Sequence, residues 1–284
     1  MTQVPSTGDP HLPADYAALL AGATPFTTPC GDGHILWHRF GHPQSGALPL
    51  VLLHGGSGSW THWIRSIAPL VAAGYTLWLP DLPGFGDSAL PPVGVDADAM
   101  VAPLYAGLQQ LGLLPCTLIG FSFGGMTAGM LAAAHPDVAT RLVLVGAPAM
   151  GVVPERQFTL KAWRHLPDAP AQREVHRYNL GALMLWDAAK IDAEALALHE
   201  HNVRRDRLPR RRLAHTDILA QSLPQIRVPV AAIYGAHDAL YKAYMGALVD
   251  KFRAVTPQLL DFVQVPDSGH WVQYEQPERF MQAL

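Results

Sequence analysis

The sequence predicts an α/β fold: a mostly parallel sheet covered on both faces by helices, with a helical insertion set into it. Three observations carry this. Short apolar runs alternate with helical segments along most of the chain. Most of the runs are apolar at every position, the mark of strands buried on both faces. The alternation then breaks between about Gly151 and Leu223, a stretch rich in Arg, His, Trp and Leu with no strand pattern.

In chain order, residues 11–22 read as a short surface helix. Thr27 to Phe40 holds Gly31-Asp32-Gly33 between two strand-like runs, which predicts a hairpin. Leu50 to Leu53 and Tyr75 to Leu79 are apolar strands, ending at His54-Gly55-Gly56-Ser57-Gly58 and at Pro80-Asp81. Ala97 to Leu111 has helical spacing. Thr117-Leu118-Ile119 is a strand, Gly124 to Ala134 a helix, and Arg141 to Val145 the next strand. Pro229 to Tyr234 and Leu259 to Val265 are the last two strands. These boundaries give a core of residues 1–149 and 224–284 and a helical cap of residues 150–223 lying over the strand ends. Ligands bind at that edge of open α/β sheets.

Composition narrows the function. The chain has 284 residues, 49% hydrophobic and only 15% charged, with net charge −3. That balance excludes a general affinity for nucleic acid or an anionic membrane. No apolar run reaches the ~18 residues of a membrane span. Met1 to Ser6 has neither a basic patch nor an apolar stretch, so no secretory leader is expected. Cys30 and Cys116 are far apart and form no CxxC, which predicts free thiols in a cytoplasmic protein. The low charge is compatible with a monomer or a homodimer.

The chemistry centres on Gly120-Phe121-Ser122-Phe123-Gly124, placed between a strand and a helix. A G-x-S-x-G in that setting is a nucleophile elbow. The turn is tight enough to require glycine on either side, and it presents Ser122 Oγ at a helix N-terminus, where negative charge is stabilised. A serine hydroxyl needs a base, and the base an orienting carboxylate. In elbow topology these follow in the order Ser, Asp, His. Asp238, in Gly235-Ala236-His237-Asp238, and His270, in Ser268-Gly269-His270-Trp271, each follow a strand on the same edge as Ser122. Asp261 and Asp267 compete as the acid, but one lies mid-strand and the other too near His270. The oxyanion donors expected are the N–H groups of Phe123 and Gly56, with Ser57 second. His54 reads as structural and His237, beside Asp238, as a bystander.

Taken together, His54 to Gly58, Asp81-Leu82-Pro83-Gly84-Phe85-Gly86-Asp87-Ser88, the elbow, Gly235 to Asp238 and Ser268 to Trp271 resemble the capped α/β-hydrolases from about residue 27 to the end. The resemblance implies Ser122 as nucleophile, His270 as base, Asp238 as orienter, a small-molecule substrate, and no metal or other cofactor. Ser at the elbow sets the chain apart from the dehalogenase and epoxide-hydrolase branches. The tail Gly269 to Glu275 is also similar to the meta-cleavage-product hydrolases, which cleave a carbon–carbon bond in vinylogous 1,5-diketo acids. Two positions depart from that group. Phe121 stands where it usually has Asn, and His199 where its cap usually has Arg, with Arg204 and Arg205 one turn on.

Carboxylic-ester hydrolysis through an acyl-enzyme is therefore the expected reaction, with carbon–carbon hydrolysis as the alternative. A catalytically silent ligand-binding protein is the second alternative, and a cofactor-free perhydrolase side activity a further one. The expected substrate pocket uses Ser57, Phe121, Trp186 and Trp271, with Trp163, Met184 and Leu185 as cap core or wall. The six arginines from Arg204 to Arg212 are expected mainly at the solvated cap surface, one of them able to fork a substrate carboxylate. Activity should rise with pH around the ordinary imidazole value of about 6.5.

Overall fold

The computed structural model describes residues 14–43, 47–208 and 211–284. Residues 11–13 of the expected first helix, the Met1–Ser6 stretch and Arg210 lie outside them. The strands are β1 (Thr24–Cys30), β2 (Gly33–Phe40), β3 (Leu50–Leu53), β4 (Leu77–Pro80), β5 (Cys116–Phe121), β6 (Ala139–Val145), β7 (Val230–Gly235) and β8 (Leu259–Val265). They form one sheet in the order β1-β2-β4-β3-β5-β6-β7-β8. β2 runs antiparallel to both neighbours, and every other pairing is parallel.

The predicted hairpin joins β1 to β2, with Cys30 opposite Gly33 and only Gly31-Asp32 between them. Pro25 and Pro29 sit in β1, a position open to proline because β1 is an edge strand.

The helices are α1 (Ala14–Gly22), α2 (Ile64–Ala72), α3 (Asp98–Gln110), α4 (Phe123–Ala134), α5 (Ala169–Asn179), α6 (Ala193–Arg204), α7 (Ile218–Ser222), α8 (Met245–Val255), α9 (Val272–Glu275) and α10 (Pro277–Ala283). None of the described helices is long and apolar enough to cross a membrane. The continuous apolar strands divide residue by residue between two cores. Val51, Leu118, Leu142, Leu144 and Ala232 face the layer holding Leu104, Leu131 and Phe252 of α3, α4 and α8. Leu52, Ile119, Val143, Val145 and Ile233 face the other layer, with Ile67 and Leu70 of α2 and Phe280 of α10. Strand side chains alternate across the sheet, so burial of both faces requires an apolar residue at every position. Cys30 and Cys116 are buried and free.

Between β6 and β7 the described residues form no strand but carry α5, α6 and α7. Asp168 caps α5 by accepting from the Ala171 N–H, and Asp192 caps α6 by accepting from the Ala195 N–H. β4 lies on one side of β3 and β5 on the other, so the connection from β3 to β4 runs one way along the sheet and the next, from β4 to β5, runs back past β3. The crevice opened at such a reversal lies at the carboxyl ends of β3 and β5.

Candidate active site

The elbow occupies that crevice. Ser122 alone separates β5 from α4, at φ +52° and ψ −119°, a region L-residues rarely occupy. The chain can turn there because nothing projects from its flanks. A Cβ on Gly120 would sit 2.4 Å from the Gly124 carbonyl oxygen, and one on Gly124 would sit 2.4 Å from that of His54. Ser122 N–H donates to the Val145 carbonyl at 2.7 Å, tying the turn to β6. Ser122 itself is partly exposed, whereas the residues around it are buried.

Asp238 follows β7 and His270 follows β8. His270 Nε2 lies 2.8 Å from Ser122 Oγ, and its Nδ1 lies 2.9 Å from Asp238 Oδ2. A carboxylate only accepts, so Nδ1 carries the proton and Nε2 is free to accept from the serine hydroxyl. The second oxygen of Asp238 accepts from the Leu240 N–H at 2.9 Å. Gly146 packs against this pair; a Cβ there would lie 3.1 Å from the His270 ring. The competing acids are elsewhere: Asp261 accepts from the neighbouring Phe262 N–H, and Asp267 pairs with Arg279.

Glu275 enters the site as a support that the sequence motif did not assign. Its buried carboxylate accepts from the Gly269 N–H at 2.6 Å and from the Asp187 N–H of the insertion at 2.7 Å. Trp271 N–H also donates to the Met184 carbonyl at 2.8 Å. The His270 turn is thus fastened to insertion residues 184–187.

The loop after β3 faces the elbow. Phe123 opens α4, so its N–H has no partner within the helix. Gly56 lies beside it, 3.5 Å from Phe123 Cβ when measured from the position a Gly56 Cβ would take. His54 is structural, accepting from the Leu82 N–H and donating to the Gly55 carbonyl. His62 accepts at Nδ1 from the Gly55 N–H at 3.1 Å. Next to this loop is a cavity of about 540 Å³, with Gly56, Ser57 and His62 on one side and Trp163, Met184 and His199 of the insertion on another. Burial drives the His199 pKa down to about 3, and burial together with neighbouring imidazoles drives that of His62 well below its ordinary value.

Of the expected pocket residues, Ser57 borders the cavity and three do not. Phe121 is fully buried because it ends β5 on the face opposite Phe123; its ring lies 5.0 Å from that of His270. Trp271 is buried against Tyr274 and donates from its indole to the His62 carbonyl. Trp186 is 54% exposed and stacks on His237 at 3.9 Å. His62, Trp163, Met184 and His199 also line this cavity, Trp163 and Met184 in keeping with a place in the cap core or wall.

The insertion arginines also depart from a simple solvated surface. Arg205 pairs with Asp87, and Arg207 donates to the Phe85 and Gly86 carbonyls at 3.3 Å. Arg211 reaches both oxygens of Asp206, at 2.8 and 2.9 Å, and donates to Ser57 Oγ at 3.0 Å. Ser57 in turn donates to Asp206. These side chains bind the insertion to Gly84–Ser88 and to the loop after β3. Arg204 and Arg212 are exposed, as expected.

A parallel sheet with a serine elbow, a histidine and a buried aspartate at its carboxyl edge defines a hydrolase of the α/β class. The profile of the alpha/beta hydrolase family matches residues 50–283, and the chain belongs to that family. It is 29% identical over 257 residues to a 2-hydroxy-6-oxononadienedioate/2-hydroxy-6-oxononatrienedioate hydrolase of Paraburkholderia phymatum, covering 84% of this chain and 86% of that one. It is 28% identical over 256 residues to the sn-1-specific diacylglycerol lipase ABHD11 of Mus musculus, covering 83% and 79%. In fold it is similar to carboxylesterase CesB from Bacillus subtilis, with a TM-score of 0.74 at 19% identity, covering 94% and 93%.

Proposed function

We propose that this hydrolase cleaves a small to medium carboxylic ester through an acyl-enzyme on Ser122. The observation that carries the reading is the unbroken line from Ser122 Oγ through His270 to Asp238, at 2.8 and 2.9 Å. In this reading Ser122 attacks the ester carbonyl as His270 Nε2 takes its proton. Asp238 holds the Nδ1–H tautomer and stabilises the imidazolium. The N–H groups of Phe123 and Gly56 receive the oxyanion. His270 then protonates the departing alkoxide, and water, deprotonated by the same nitrogen, releases the acid. The segment 150–223 acts as a cap, and its residues Trp163, Met184 and His199 wall the cavity beside the loop after β3.

The cavity wall supports an ester over a diketo acid. His199, where a carboxylate-binding Arg would stand, is a neutral imidazole at working pH. Lys161 and Arg164 also border the cavity, but both are exposed and engaged, one over the Tyr178 ring and the other with the Val203 carbonyl. The second reading is carbon–carbon hydrolysis, favoured by the extent of the match to the dienedioate hydrolases. Hydrolysis of p-nitrophenyl acetate, butyrate and octanoate by the wild type and by Ser122→Ala tests the first reading. Turnover lost in the variant supports it. Inert esters together with bleaching of a dienoate chromophore would move the second to the front.

A further inference from the structure

We propose that His62 donates a hydrogen bond from Nε2 to the part of the substrate lodged in the cavity, and that it selects esters carrying an uncharged acceptor oxygen there. This rests on the ester reading above. The tautomer follows from the Gly55 N–H, which donates to Nδ1 at 3.1 Å. A nitrogen that accepts carries no proton, so the proton of the neutral ring is on Nε2. The imidazole borders the cavity, and among the described residues nothing accepts from Nε2.

The ring is held in place from several sides. Phe121 and Trp271 lie at 5.4 and 5.1 Å between ring centroids. Gly58 lies so close that a Cβ there would come within 2.2 Å of Cε1. The His62 carbonyl accepts from the Trp271 indole and from Gln273, fixing the residue to the turn that bears His270. Burial and the surrounding imidazoles of His54, His199 and His270 oppose a second proton. His62 is therefore a fixed donor in a largely desolvated wall.

The charge around it favours an uncharged partner. Asp206 borders the same cavity, and its charge is matched by Arg211, which is occupied with Asp206 and Ser57. A substrate carboxylate in this cavity would meet no uncommitted cation among the described wall residues. An ether or ketone oxygen would meet the donor without a charge to compensate. A methylene in the same place would leave the N–H unsatisfied, the situation that makes polar sites reject close analogues.

The test uses matched aliphatic esters followed by proton release. One set varies the acyl chain and one the alcohol, each comparing a methylene, an ether oxygen and a terminal carboxylate along the chain. In the wild type, one set should show kcat/KM for the ether roughly tenfold above the methylene, the worth of a satisfied buried donor. The carboxylate should be slowest. His62→Leu should abolish the ether preference, and His62→Gln, which keeps an acceptor for Gly55 and an N–H, should retain part of it. The comparison within each variant corrects for any loss of folded enzyme. Equal ether-to-methylene ratios in wild type and His62→Leu across both sets would overturn the proposal and leave esterase activity standing, as would a carboxylate that is fastest. Failure of every ester in the wild type would remove the ester reading, and this proposal with it.

Discussion

His270 and Asp238 share one hydrogen bond, 2.9 Å from Nδ1 to Oδ2, where the acid is fully buried and the imidazole only 1% exposed. With water kept out, the orientation of the ring depends on that carboxylate. Asp238→Asn preserves shape but can donate to Nδ1 and so favour the wrong tautomer. kcat for p-nitrophenyl butyrate should fall about 10⁴-fold with little change in KM. A loss under tenfold would show that another group orients the base.

The elbow is a steric condition as well as a chemical one. Gly124→Ala would drive a methyl group to 2.4 Å from the His54 carbonyl oxygen, a rigid backbone atom. The expected loss is at least about 3 kcal/mol, seen as a fall in Tm of roughly 6–12 °C or as failure to fold. Wild-type stability in the variant would mean that the β3 loop can retreat.

Arg211 fastens the insertion to the loop that carries Gly56. In Arg211→Gln, Asp206 loses its cation and Ser57 one of its two partners. Amide exchange from Arg205 to Leu208 should quicken about tenfold, and KM should rise more than kcat falls. Unchanged exchange there would assign the fastening to Arg205 and Arg207 alone.

Acid stability should report the neutral imidazoles. His199 has its folded pKa lowered to about 3 by burial, and His62 is lowered for the reasons already given. The unfolded chain binds more protons between about pH 3 and 6.5, so stability is full above the ordinary imidazole value and declines as pH falls through that window. Denaturant midpoints measured from pH 7 to 4 should therefore drop, and His199→Phe should make the drop shallower. A variant with the same slope as wild type would separate His199 from the acid transition.

Much of this was readable in the chain. Runs such as Leu50–Leu53 gave strands because both sheet faces are covered, and Gly120, Gly124 and Ser122 marked the elbow through a steric requirement that glycine alone meets. Order and strand-end position sufficed to bring Ser122, Asp238 and His270 into contact. Other features escaped. Residues 64–72 and 245–255 are helices outside those expected, although Ile64, Ile67 and Leu70, and Met245, Leu248 and Phe252, repeat at helical intervals. Pro69 and the short length of α2 weakened that signal. Which residues line the cavity was not legible for a different reason. Whether Phe121 faces the cavity or the core depends on strand parity at a turn, and Trp186 and Met184 differ only in how one short segment crosses the His270 turn. Nothing local encodes either. Asp87, Phe85 and Ser57, the partners through which Arg205, Arg207 and Arg211 reach the rest of the chain, lie more than a hundred residues upstream.

β6 lies between the strand that leads to the serine and the strand that leads to the aspartate, and the insertion departs from its end. The turns that bring Ser122, His270 and Asp238 together and the insertion are therefore separate stretches of chain. On the reading proposed above, the insertion can vary, and with it the range of compounds admitted, without disturbing Ser122, His270 and Asp238. The freedom stops at two places: insertion residues 184–187, which grip the His270 turn through Glu275, and Arg205, Arg207 and Arg211, which grip the β3 loop and the Gly84–Ser88 segment. Diversification of this scaffold should accordingly spare those two seams and concentrate on what hangs between them.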